Sequence, residues 1–200
     1  MKEKLLYIIA GANGSGKTTL AELLLEAKDL EFLNADEIAK EIAPDAMDKV
    51  LISAGKEYLR RRNEFLDKEK SFAAETTLAG QNIDNLISKA RERNYKIVLV
   101  YIYLSKFTTC IKRVKTRVEN GGHNVPPEDI TRRYFRSVVN FWDKYKGIVD
   151  EWSLFYNGEE YNPISVADGN REICDIIEKD LYENFLQVVK IAKDEIKIVQ

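Results

Sequence analysis

Eight consecutive residues, Gly11-Ala12-Asn13-Gly14-Ser15-Gly16-Lys17-Thr18, fit the spacing Gly-x-x-x-x-Gly-Lys-[Ser/Thr]. Glycines at these positions let the backbone curl so that several N–H groups face one anion. The start of the following helix adds partial positive charge. Lys17 is then placed to reach outer phosphates, and the Thr18 hydroxyl to ligate magnesium. The chemistry expected is binding of a nucleoside triphosphate with Mg2+. Thr19 either supports that site or only begins the helix.

Three further groups carry chemistry. Asp36 follows a short apolar run and suits a catalytic carboxylate that accepts a proton from an acceptor hydroxyl. An N-cap for the next helix is the structural alternative. Glu75-Thr76-Thr77 closes Phe72-Ala73-Ala74. Glu75 there can hold magnesium-bound water or grip sugar hydroxyls, with Thr76 and Thr77 lining the substrate site or forming a turn. A carboxylate beside an apolar strand needs a partner. Arginines form the third group. Arg113 and Arg117 lie four apart, as do Arg132 and Arg136, with Arg133 adjacent, and Gly121-Gly122-His123-Asn124 stands between the pairs. Four-residue spacing puts each pair on one helical face. Planar guanidinium groups match a transferring phosphoryl group, so the segment reads as a glycine-hinged lid. Its alternative is a solvated basic face paired with Glu119, Glu128 and Asp129. His123 either touches substrate or is a polar loop residue.

The elements that must position these groups alternate between strand and helix. Leu5 to Ala10, Leu30 to Asn34, Ser71 to Thr76 and Lys96 to Leu104 read as buried strands, with two more at Ser153 to Tyr156 and Ile164 to Ala167. Helices are expected over Thr18–Ala27, Asp36–Ala43, from Asp45 through Phe65, Gln81–Asn94, Lys106–Asn120, and from Pro127 to about Lys146. A C-terminal helix is expected over 171–198, with Ile173, Ile177, Leu181 and Phe185 recurring. This pattern predicts an α/β fold with a mainly parallel sheet between helical layers and a lid over about 106–146. In such sheets ligands sit at the carboxyl ends of strands, where Gly11 to Thr18, Asp36 and Glu75 all fall.

With 200 residues, one domain spanning 1–200 is expected. A net charge of −2 provides no broad basic field, which argues against nucleic acid or an anionic membrane as partner. Two unpaired cysteines, Cys110 and Cys174, suit reduced thiols in a cytoplasmic protein rather than a disulfide framework or zinc site. A single histidine excludes chemistry that needs several. The apolar stretch after Met1-Lys2-Glu3-Lys4 is too short for a signal peptide core.

Taken together, these motifs resemble the zeta-toxin family of P-loop kinases. The resemblance rests on Gly11 to Thr19, Asn34-Ala35-Asp36-Glu37-Ile38, Glu75-Thr76-Thr77-Leu78, Arg117, Gly121-Gly122-His123-Asn124-Val125-Pro126 and Arg132-Arg133-Tyr134-Phe135-Arg136-Ser137. It covers about residues 5 to 170 and is strongest to the compact predicted-ATPase members. It implies a three-layer, adenylate- or shikimate-kinase-like fold with ATP as donor. In toxin members it implies UDP-N-acetylglucosamine as acceptor and an antitoxin as protein partner. It makes Asp36 the catalytic base, Glu75 a substrate-site acid and Arg117 a γ-phosphate arginine. Toxin members carry a second lid arginine near the position of His123-Asn124, a role open here to Arg132, Arg133 or Arg136.

Overall fold

The computed structural model describes residues 3–25, 30–44, 46–80, 82–158 and 162–198. Strand β1 (Leu5–Ala10) is central because both of its faces are apolar. Leu6, Ile8 and Ala10 enter the main core, while Ile9 faces the opposite side. The same alternation runs along β4 (Lys96–Tyr103). There Ile97, Leu99, Tyr101 and Tyr103 join the main core, and Val98, Val100 and Ile102 join the smaller one. A strand buried on both faces needs helices above and below it.

Helix α1 (Lys17–Leu25) covers the smaller face through Leu20, Ala21 and Leu25. The other face is covered by α4 (Asn82–Glu92), α5 (Phe107–Glu119), α6 (Pro127–Asp143) and α7 (Lys179–Ile198). Five strands are parallel, in the order β2 (Glu31–Leu33), β3 (Phe72–Thr76), β1, β4, β5 (Glu151–Asn157). The sheet then continues antiparallel through β6 (Pro163–Gly169) and β7 (Cys174–Ile176). Helices α2 (Ala35–Ile42) and α3 (Leu51–Asp67) fill the β2-to-β3 crossover, meeting through Ile38, Ala39 and Ala54. The expected three-layer, mainly parallel α/β fold is therefore present.

Three expectations change. The helix expected from Asp45 onward starts at Leu51, after a single 3₁₀ turn at Met47–Lys49. The C-terminal helix starts at Lys179 rather than 171, because Cys174–Ile176 pairs with β6 instead. Asn170 drives this change: its side-chain oxygen accepts from the N–H groups of Glu172 and Ile173 and turns the chain into a hairpin. Ile173 and Ile177 are left exposed. Third, the segment expected as a lid, about 106–146, is not free-standing: α6 buries Ile130, Tyr134, Val138 and Phe141 in the main core. The expected helix ends at Ala27, Asp45 and Gln81 lie outside the described residues.

Candidate active site

The loop between β1 and α1 is shaped as a cradle. Gly14 and Gly16 have φ of 77° and 97°, a region that side-chain-bearing residues avoid. A Cβ on Gly16 would also stand 2.1 Å from Asn157 Nδ2. The opening N–H groups of α1 have no partner within the helix and point to the loop. Lys17 is only 6% exposed, and its ammonium donates to the Ala12 carbonyl at 3.0 Å. Ser15 Oγ is sealed from solvent with no hydrogen-bond partner. A buried orphan hydroxyl beside a buried ammonium suits an incoming oxyanion, so the loop residues fit a bound triphosphate.

Glu75, at the carboxyl end of β3, ties the site together. Its Oε2 accepts from Thr18 Oγ1 at 3.0 Å and Asn34 Nδ2 at 2.8 Å, and its Oε1 lies 3.4 Å from Lys17 Nζ. The partner that an acid beside an apolar strand requires is thus threefold. The Thr18 hydroxyl and the Glu75 carboxylate are hard oxygen donors side by side, which fits magnesium. No group of three His, Cys, Asp or Glu among the described residues could hold an ion alone. A magnesium ion here would complete its shell with phosphate and water, as is usual for this ion.

Asp36 is not the cap of α2. Asn34 is, accepting from the N–H groups of Asp36 at 2.8 Å and Glu37 at 3.4 Å. Asn34 thus uses its oxygen to start α2 and its amide to grip Glu75, which fixes the backbone that carries Asp36. The Asp36 carboxylate is left to project, 44% exposed, with Oδ2 3.4 Å from Arg117 Nη1. Arg117 also donates to the His123 carbonyl at 2.9 Å.

Gly121-Gly122, expected as the hinge of the lid, forms the closure of α5. The N–H of Gly122 reaches the Arg117 carbonyl and that of Gly121 the Val118 carbonyl, with Gly121 at φ 84°. This paired closure needs a left-handed residue, hence glycine. A Cβ on Gly122 would meet Arg117 Cγ at 2.6 Å. The two glycines therefore fold the chain back over the Arg117 side chain. A cavity of about 210 Å³ is lined by Asn13, Lys17, Thr18, Thr19, Asp36 and Arg117, among others. A neighbouring one of about 490 Å³ shares Thr18, Asp36 and Arg117 and reaches His123.

The remaining arginines separate. Arg113 donates to the carbonyls of Asn157 and Gly158 and also lines the smaller cavity. Arg133 donates to Asn13 Oδ1 at 3.2 Å, so it touches the phosphate loop. Arg132 instead pairs with Asp129 on the surface, and Arg136 is exposed. Arg132 is thus placed as the sequence's alternative had it, on a solvated face. Thr76 turns the chain, its hydroxyl accepting from Leu78 N–H at 3.1 Å. Leu78 has φ of 58° and is anchored by Asn140, which donates to its carbonyl at 2.8 Å. Thr77 lines neither of these two cavities.

Asn157 has a role that the sequence did not reveal. It is buried at the end of β5 and donates to the Ser15 carbonyl at 2.7 Å, holding the loop from the far side. Its only signal was its place at the carboxyl end of a parallel strand.

A phosphate cradle, a strand-end carboxylate hub and an arginine-bearing helix on a mainly parallel sheet define a P-loop protein with a kinase-like fold. The chain belongs to the AAA_33 family, described as an AAA domain, which it matches over residues 6–138. An uncharacterized protein of Haemophilus influenzae is 29% identical over 134 residues, 67% of this chain and 94% of that one. A chain from the AvrRxo1-ORF1:-ORF2 complex with ATP superposes with a TM-score of 0.70 at 16% identity, covering 92% of this chain. This chain spans 63% of the length of that relative. A chain from the PezAT chromosomal toxin–antitoxin system of Streptococcus pneumoniae gives a TM-score of 0.62 at 13% identity, covering 98% of this chain and 88% of that one. At these identities the solved structures show the fold. No helix among the described residues is long and apolar enough to cross a membrane.

Proposed function

We propose that this protein is an ATP-dependent phosphotransferase that moves the γ-phosphoryl group to a hydroxyl of a small acceptor. The observation that carries this reading is the placement of Asp36. A module that only bound nucleotide would not need an unburied carboxylate facing Arg117 at the mouth of the phosphate cradle. Gly11 to Gly16 and the α1 N-terminus bind the phosphates, and Lys17 balances their charge. Thr18 would hold magnesium, which would supply further neutralisation of the phosphate oxygens. Asp36 orients the acceptor hydroxyl and takes its proton. The acceptor oxygen forms a bond to the γ-phosphorus as the bond to the β–γ bridging oxygen breaks, and ADP leaves with that electron pair. Arg117, with Arg113 on the same cavity and Arg133 on the phosphate loop, meets the charge on the transferring group.

The first acceptor class to test is a sugar nucleotide such as UDP-N-acetylglucosamine, on the strength of the zeta-toxin-like motifs. Other hydroxyl metabolites, nucleosides and nucleotides follow. The PezAT neighbour comes from a toxin–antitoxin system, and an antitoxin-like protein partner in the cytoplasm is part of the same proposal. The test is labelled ATP with magnesium and a panel of these acceptors, wild type against Asp36→Asn. Label should reach an acceptor with the wild type and fail to do so with the variant. Equal ATP hydrolysis by both proteins and no labelled acceptor would sink the kinase reading.

A further inference from the structure

A third cavity, of about 430 Å³, opens between α3 and α4 beside the carboxyl end of β3. Ala35, Glu75 and Thr76 line the side nearest the site, and Lys56, Tyr58 and Arg62 line the side formed by α3. Arg62 is only 6% exposed. Its Nε is sealed from solvent with no hydrogen-bond partner, and the guanidinium forms no ion pair among the described residues. The two arginines that precede it behave differently. Arg60 and Arg61 are bound to Glu57 and Glu64 of α3 and to Glu41 of α2.

A buried guanidinium cannot escape its charge by losing a proton, so an unpaired one is costly. Burial does push the Arg62 pKa down from its ordinary value. Glu75 is the sole carboxylate on the cavity lining, and Thr18, Asn34 and Lys17 already engage it. Tyr58 cannot supply an anion, because burial lifts its phenol to about 12. Its hydroxyl donates to the Glu75 backbone carbonyl. Only Nε is sealed, and the rest of the guanidinium faces the open cavity, where a bound anion would supply the missing counter-charge.

We propose that this cavity is an anion subsite for the acceptor, in which Arg62 holds a phosphate group with Lys56 at the rim. The acceptor then lies across Ala35 and Glu75, its hydroxyl toward Asp36 and its phosphate toward α3. Two cations and no free carboxylate favour a phosphate over a singly charged carboxylate, and a planar fork matches phosphate oxygens. The substrate class becomes a phosphorylated hydroxyl compound, such as a nucleotide, a sugar phosphate or the diphosphate of a sugar nucleotide. The acceptor's identity rests on the kinase reading above. The anion site itself does not.

The test is a titration of inorganic phosphate into protein whose phosphate loop is filled with magnesium and a non-hydrolysable ATP analogue. The Arg62 Nε–H resonance and the Tyr58 and Thr76 amides are followed by NMR. Saturable shifts should appear with phosphate and be much weaker with acetate. Arg62→Met should weaken phosphate binding about tenfold or more, the loss of a charge-assisted pair of bonds, with Arg62→Lys between. Unchanged nucleotide affinity in Arg62→Met shows that the variant is folded. An Arg62 resonance that does not move, acetate binding as tight as phosphate, or equal phosphate binding in Arg62→Met would each overturn the assignment. Phosphate binding with no acceptor phosphorylated would leave the subsite standing and remove the kinase reading. Transfer to phosphorylated acceptors with the same kcat/KM in Arg62→Met would do the reverse.

Discussion

Replacing Glu75 by glutamine removes one negative charge at a point where three donors converge. The isostere can keep an oxygen toward Thr18 and Asn34, but it then turns an amide toward the Lys17 ammonium 3.4 Å away. Lys17 and Glu75 are 6% and 16% exposed, so solvent screens little of the loss. Stripping one partner from a buried pair costs about 3–5 kcal/mol. Lys17 retains the Ala12 carbonyl, which brings the expected cost to about 2–3 kcal/mol. In a chain of this size that lowers Tm by about 4–12 °C. Saturating triphosphate should shrink the deficit to under about 1 kcal/mol, because phosphate oxygens give Lys17 a new counter-charge. The assay is urea unfolding of both proteins, with and without a magnesium-bound non-hydrolysable ATP analogue, at equal m-values. A deficit of the same size in both conditions, or none without nucleotide, refutes the view that Glu75 stands in for phosphate at Lys17.

Other outcomes follow from the same geometry. Asp36→Asn should lower the transfer rate by about 10²–10⁴-fold, as for a general base, while unfolding within about 0.5 kcal/mol of wild type, since Asn34 and not Asp36 caps α2. Steady-state kinetics beside a melting curve checks both halves. Arg132→Ala, which cuts only a surface contact with Asp129, should leave kcat/KM and Tm at wild-type values. A tenfold activity loss would restore Arg132 to the lid. Burial raises the Cys110 thiol from 9 to about 12 and the Tyr58 and Tyr95 phenols from 10 to about 12. Folded pKa values above unfolded ones mean that these groups stabilise the fold fully below about pH 9. That contribution should be lost between about pH 9 and 12 as the unfolded chain deprotonates first. Urea midpoints across this range measure it, and a midpoint that stayed flat to pH 12 would contradict it.

The phosphate loop was legible because its chemistry is contiguous: eight residues name their own shape. Strands β1 and β4 were legible because both faces are apolar, so the run needs no partner to be recognised. What escaped depends on distance or context. Asn157 lies 142 residues from the Ser15 carbonyl that it holds, and only the order β1-β4-β5 brings them together. Arg62 follows Arg60 and Arg61 with nothing in composition to separate them. One step of helical rotation buries it and leaves the others in surface ion pairs. Ile173 and Ile177, four apart, imitate a helix face, and the side-chain turn at Asn170 overrides that period. At Gly121-Gly122 the spacing gave the location but not the closure geometry, since a helix closure and a hinge use the same residue.

The two acids at the strand ends are held by different physics, and this divides their work. Glu75 sits among three donors in a largely sealed position, where displacing it means leaving buried charge unmet. It therefore acts as fixed framework, tying the phosphate loop to β2 through Asn34. Asp36 meets one guanidinium at 3.4 Å, and both side chains are about two-fifths exposed. Such a pair contributes about 0–1 kcal/mol, so an acceptor hydroxyl or a phosphate oxygen can replace either member at little cost. In the kinase proposed above, Asp36 as base exchanges partners within a turnover, whereas Glu75 keeps Asn34 even when phosphate takes over Lys17. The rigid acid lies inside and the exchangeable one at the mouth, with the α2 cap between them. On the proposed reading, that order would keep the cradle formed while Asp36 and Arg117 separate to admit an acceptor.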